Sequence, residues 1–265
     1  MTSNVERAPR LPDWIWPILA FVVLVVLWDV AIRVFGVKPF ILPSPGAVVG
    51  ALVTDWPELG AATLYTLVEI VLGFALSVVV GIGLAVAIVT WRPLERAIYP
   101  ILVGAQVIPK VAIAPLFVVW LGLGIAPKIL IAFLLSFFPM VVNTVVGLRA
   151  IEIGKLHLAR SMGASVSQVF FRFRLPRAMP NIFAGLKLSV TAAVIGAIVG
   201  EFIGADEGMG RVLLIANGNL ETAKLFAGIL LLSLVGIALF LAIAALEGTV
   251  IRWHVSQRVL EEGRL

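Results

Sequence analysis

The chain has 265 residues, 61 % of them hydrophobic and 13 % charged, with a formal net charge of +5 and no cysteine. A mean hydropathy of +1.11 excludes a water-soluble globule, whose surface needs far more charge. Without cysteine there is no disulfide framework, thiol nucleophile or thiolate metal site.

Apolar runs near residues 14–36, 64–90, 97–122, 127–149, 183–204 and 223–247 are each long enough to cross ~30 Å of hydrocarbon, which takes ~20 helical residues. Their periods are helical, and no alternating ten-residue strands recur as a membrane barrel requires. The reading is therefore an all-α polytopic membrane protein with six transmembrane helices. A single six-helix membrane domain is expected over 14–249, between an N-terminal tail at 1–13 and a C-terminal tail at 250–265. The first span carries Trp14, Trp16 and Trp28 and lacks a small-residue cleavage site, so it reads as a retained anchor and not a removable signal. Within it Asp29 and Arg33 stand at i and i+4 and can pair on their own helix.

After the first span, Ser44 suits an N-cap and Pro45 a first helical turn. A short interfacial helix is expected from Pro45 to Asp55. Glu69 falls in the first turns of the second span. The third span contains Pro100, Pro109 and Pro115, each of which removes a backbone donor, so a kinked helix is expected. Lys110 sits near its middle with Gln106 one turn before it, and Asn143 lies in the fourth span. In the fifth span Gly196, Gly200 and Gly204 recur every four residues, with Gly208 beyond, forming a smooth face for close helix packing within the chain or at a dimer seam. Glu201 lies on the same span near its outer end.

Charge inside hydrocarbon is costly enough to mark function by default. Glu69 and Glu201 are close enough to the interface to be solvated or paired. Lys110 is deeper; it either marks a polar pathway through the bundle or pairs with Glu69 or Glu201 of a neighbouring helix. Gln106 and Asn143 either line the same passage or form helix-to-helix hydrogen bonds.

Orientation follows from the loops. If the N-terminus is cytoplasmic, that face holds most of the 20 Lys and Arg residues, among them Arg7, Arg92, Arg149, Arg172 and Arg258. The other side holds only Arg33, Lys38, Lys128, Arg211 and Lys224. Both termini are then cytoplasmic, in a cell (inner or plasma) membrane. The same rule accounts for the basic balance without invoking nucleic acid.

The long polar break, about 151–180, reads IEIGKLHLARSMGASVSQVFFRFRLPRAMP. A first short helix ends at Gly163, and Ser165 with Gln168 forms a capping box that starts a second, closed by Pro176. Val166, Val169, Phe170 and Phe173 make one apolar stripe at i, i+3, i+4 and i+7. Such a helix could float on anionic lipid or dock in a groove of a cytoplasmic protein.

The run His157 to Pro176 resembles the cytoplasmic loop signature of binding-protein-dependent ABC importer permeases. Ala159, Gly163, Leu175 and Pro176 stand at matching positions, while His157, Leu158 and Phe173 depart from the pattern. LPSP at 42–45, IPKVAIAPLFVVWLGLGIAPK at 108–128, FFPMVVNTVVGLR at 137–149 and LPRAMPNIFAGLKLS at 175–189 extend the resemblance to the nitrate, sulfonate and taurine permease family almost from end to end. It implies a type I importer permease, usually a homodimer, partnered by two copies of an ATPase subunit and an extracytoplasmic solute-binding protein. The helices around Gly163, Ala164 and Ser165 would be the coupling element. No G-x-x-x-x-G-K-[ST] loop is present, so ATP and Mg²⁺ are expected on the partner ATPase, with no cofactor, metal or catalytic residue in this chain. Nitrate, sulfonates, taurine, pyrimidine vitamin precursors and riboflavin are the candidate solutes, and Gln106-Val-Ile-Pro-Lys110 resembles the vitamin-precursor members more closely. The competing reading is a stand-alone secondary transporter or a membrane anchor whose basic loop binds lipid.

Overall fold

The structure, a computed structural model, describes residues 15–152, 154, 158–159, 161–204 and 206–251. The described elements are helical. They are α1 (Ile15–Phe35), α2 (Pro45–Thr54), α3 (Trp56–Thr90), α4 (Arg92–Ala105), α5 (Lys110–Leu121), α6 (Ile125–Arg149), α7 (Val166–Val169), a π-turn (Phe170–Arg174), α8 (Leu175–Gly204), α9 (Met209–Gly218) and α10 (Thr222–Val250). Five helical stretches, with α7, the π-turn and α8 counted as one, are long and apolar enough to cross a membrane; α4 and α5 make a sixth crossing if counted as one broken span.

The frame is α3, α6 and α8. The most extensive contacts run between α6 and α8, then between α3 and α6. Small residues permit this approach. A Cβ built on Gly196 would lie 2.6 Å from the Ala132 Cα, and one on Gly73 would lie 2.6 Å from the Ala132 Cβ, so α8 and α3 both close on the same turn of α6. Gly200 likewise abuts Lys128, and Gly204 abuts Leu123. The glycine stripe is thus a packing face within one chain.

At one end of the bundle, Val48 of α2, Leu59 and Ala62 of α3, Met209 and Leu213 of α9 and Ala227 of α10 form a buried cluster. Ser44 accepts a hydrogen bond from the Ala47 N–H at 3.2 Å, capping α2 as its sequence suggests. At the opposite end α4 lies against α3 and α6 through Leu102, Ile88 and Val145, and Arg149 pairs with Glu95 at 2.7 Å. Helix α1 is peripheral and has no buried residue; Asp29 and Arg33 pair on it at 2.7 Å.

The third span is broken, not merely kinked. Helices α4 and α5 meet at 99° across Gln106–Pro109. Of the three prolines only Pro109 lies at the break, with φ −70° and ψ 86°; Pro100 and Pro115 sit inside helices. Proline also disfavours helical backbone in the residue before it, which ends α4 ahead of Ile108.

Candidate translocation pathway and coupling segment

At the break, Lys110 is the first residue of α5 and is half-exposed. Its Nζ donates to the Gln106 carbonyl at 3.0 Å and lies 4.6 Å from the centre of the Phe138 ring. The ammonium therefore serves an end carbonyl of α4 that helical geometry leaves unpaired, and rests on the negative face of an aromatic ring. Among the described residues it makes no ion pair, and neither Glu69 nor Glu201 is its partner. Gln106 is exposed at the C-terminus of α4. Asn143 donates through Nδ2 to the Pro139 carbonyl of its own helix at 2.8 Å, so its recorded bond is not helix-to-helix.

Glu69 and Glu201 do come together, around a cation that the charge distribution of the sequence places only on the outer side. Lys128, in the first turn of α6, is 1 % exposed, and both carboxyl side chains are fully buried. Its Nζ stands 3.4 Å from Glu69 Oε1 and 4.9 Å from the centre of the Tyr65 ring. Thr66, also missed in the sequence, donates to Glu201 Oε1 at 2.6 Å and accepts from the Met209 N–H at 2.8 Å. The Gly210 N–H donates to Glu201 Oε2. Two of the free N–H groups at the start of α9 are thereby satisfied by a hydroxyl and a carboxylate, an arrangement that the helix dipole also favours. Gly208 approaches this junction with φ +105°, and any Cβ there would overlap the Glu201 carboxylate. One signal was available in the sequence: two acids near the same ends of their spans require a cation at that depth, and Lys128 is the nearest in register.

On the opposite face lies the polar segment. His157 is outside the described residues. Leu158, Ala159 and Ser161 are helical, with Ala159 buried. The Ala164 N–H returns to the Ala159 carbonyl at 3.0 Å, and Gly163 takes φ +78°, the left-handed stop that its position suggests. Ser165 and Gln168 form the expected capping box, at 3.2 Å and 2.8 Å. Pro176 does not close the second helix. The Leu175 N–H reaches back five residues to the Phe170 carbonyl, and the π-turn carries the chain directly into α8 with Pro176 in its first turn. The apolar stripe is interrupted for the same reason. Val169 is buried and Phe170 packs among Met140, Leu148 and Ile182, whereas Val166 and Phe173 are exposed. Leu175 joins Phe170 in that packing.

A bundle crossed by a broken span, with charge buried at one end and a capped helical segment continuous with a spanning helix at the other, has the build of a membrane transport subunit. Residues 77–252 match the family described as binding-protein-dependent transport system inner membrane component, and the chain belongs to it as the permease subunit of an ABC importer. It is 40 % identical over 242 residues to the formylaminopyrimidine transport permease protein ThiX of Halalkalibacterium halodurans, covering 91 % of this chain and 96 % of that one. To the riboflavin transport system permease protein RibX of Chloroflexus aurantiacus it is 34 % identical, over 97 % of this chain and 98 % of that one. The taurine transport system permease protein TauC of Escherichia coli is 29 % identical, over 95 % of this chain and 97 % of that one. An inward-facing structure of the MetNI methionine ABC transporter shares the fold, with TM-score 0.59 at 19 % identity, over 72 % of this chain and 97 % of that one. Family membership decides against the stand-alone transporter and anchor readings.

Proposed function

We propose that this permease imports a small heterocyclic solute of the pyrimidine type, handed over by an extracytoplasmic solute-binding protein. Two copies of the chain form the passage, and two copies of a separate ATPase subunit bind ATP and Mg²⁺ and drive it. The observation that carries the solute class is the gradient of identity, 40 % and 34 % to the formylaminopyrimidine and riboflavin permeases against 29 % to the taurine permease. The residues at the break suit such a solute. Gln106 offers an amide that both donates and accepts, and Lys110 a point cation for an exocyclic oxygen or a ring nitrogen. Asn143 is a further candidate for the lining. Glu69 and Glu201 are buried in the Lys128 cluster and act as structural groups at one end of the bundle.

The segment from His157 through Ala159, Gly163, Ala164 and Ser165 to Phe173, Leu175 and Pro176 is the contact with the ATPase. Exposed Met162, Val166, Phe171 and Phe173 supply an apolar surface for a groove on that partner. Because the π-turn joins this contact to α8 without a loop, movement of the ATPase is passed directly to a helix packed along α6. Both termini face the cytoplasm on this reading, which places α2 and α9 toward the binding protein.

The test is reconstitution in nanodiscs with the ATPase and binding protein encoded beside this chain. ATP hydrolysis is then measured against pyrimidines, flavins, sulfonates, taurine and nitrate. Stimulation by a pyrimidine-loaded binding protein is the expected result. Stimulation by a sulfonate or nitrate alone would overturn the solute class while leaving the importer in place.

A further inference from the structure

The buried charges of the Lys128 cluster do not balance. Glu69 and Glu201 contribute two carboxylates and Lys128 one ammonium, all with at most 1 % exposure within a single chain. The partners of the two acids differ. Glu201 has the Thr66 hydroxyl on one oxygen and the Gly210 N–H on the other. Glu69 has neither kind of partner: among the described residues no hydrogen bond reaches its Oε1 or Oε2. Lys128 approaches Oε1 only at 3.4 Å, beyond the ~2.7–2.9 Å of a charge-assisted bond. The groups facing the pair are Tyr65 and Thr66 from α3, Lys128 from α6, and the Met209 and Gly210 N–H groups from α9. None supplies a second full positive charge. A buried cluster with one carboxylate more than its cations, and with that carboxylate accepting no hydrogen bond, is costly in a bilayer-spanning bundle.

We propose that the Glu69–Glu201 pair binds one additional positive charge, a proton or a small monovalent cation, as a fixed occupant of the end of the bundle where α9 packs. The occupant makes the cluster neutral. It also supplies the unpaired oxygens of Glu69 with the partner that the protein does not provide. Since Glu201 holds the start of α9, the occupant fixes the junction of α3, α6, α8 and α9. This role is independent of which solute is carried.

Two readings on the purified full-length chain in nanodiscs decide the matter. The first is infrared absorption of a carboxylic-acid carbonyl at neutral pH. The second is the thermal midpoint when sodium chloride replaces choline chloride at equal ionic strength. A bound proton gives the carbonyl band, which is lost in Glu69→Gln or Glu201→Gln. A bound sodium ion gives no band but raises the midpoint by roughly 3 °C, and Glu69→Gln abolishes that rise because the neutral amide removes the excess charge. A wild-type chain with neither the band nor the sodium response overturns the proposal, as does a band that survives in both variants. Because the wild-type readings require no variant, misfolding of Glu69→Gln leaves the decision intact.

Discussion

Replacing Lys128 with Met keeps the length of the side chain and removes the only ammonium recorded beside Glu69. Two carboxyl groups then share a buried site with no cation from the protein. Breaking a buried pair by removing one partner costs about 3–5 kcal/mol, so Lys128→Met is expected to lower the thermal midpoint sharply in nanodiscs, and Lys128→Met with Glu69→Gln to recover part of the loss. An unchanged midpoint in the single variant would show that the cluster contributes nothing to stability. Gly196→Leu tests packing at the same scale. Its Cβ alone would stand 2.6 Å from the backbone of Ala132, so α8 must withdraw from α6. Overpacking of this kind costs about 1–3 kcal/mol, and the expected outcome is a folded but less stable subunit in the same melting assay. Hydropathy places Glu69 and Glu201 inside their spans near the same interface, where they could be solvated or paired. It does not reveal Lys128, because a lysine three residues into a helix after Gly124 reads as an interfacial residue until α3 and α8 close over it.

Element boundaries were legible where a local rule decides them and illegible where two rules compete. Ser44 and Ser165 cap their helices as their types suggest, since a cap depends on only four residues. Pro176 was misread as a stop. A proline can equally occupy a first turn, here behind a π-turn whose Phe170 packs against Met140 and Leu148, contacts that local sequence does not display. Pro109 breaks its span while Pro100 and Pro115 sit inside helices, and residue type alone does not tell the three apart. The turn at Gly163 supplies the prediction at this scale. Its φ of +78° costs an L-residue roughly 1–2 kcal/mol, while a Cβ there meets no atom within 4 Å. Gly163→Leu is therefore expected to leave the subunit inserted and stable but to misdirect the capped helix after it. ATP hydrolysis by the assembled complex should then no longer follow the loaded binding protein. Full coupling in that variant would remove Gly163 from the ATPase contact.

Across the whole molecule, the permanent structure and the candidate passage are separate. The acids lock α3, α6, α8 and α9 at one end, whereas Lys110 and Gln106 sit at the seam of the broken span with the ammonium held, among the described residues, by a carbonyl and a ring. The Lys110 contacts are weak enough to be exchanged for a solute, since the cation–π contact at an exposed site is worth ~0.5–1 kcal/mol. A pair of copies related by a two-fold axis would present two such ammonium groups to the same passage. Lys110→Ala is accordingly expected to leave the thermal midpoint nearly unchanged, because no buried partner is orphaned. Solute-dependent ATP hydrolysis should nevertheless fall by an order of magnitude, which corresponds to ~1.4 kcal/mol of lost interaction. Lys110→Arg separates charge from geometry. Recovery would assign the role to positive charge, and failure to recover would assign it to the compact ammonium fitted between Gln106 and Phe138. Transport at the wild-type rate in Lys110→Ala, with the complex intact, would move the solute contact elsewhere along the break and leave the lysine as a cap for α4.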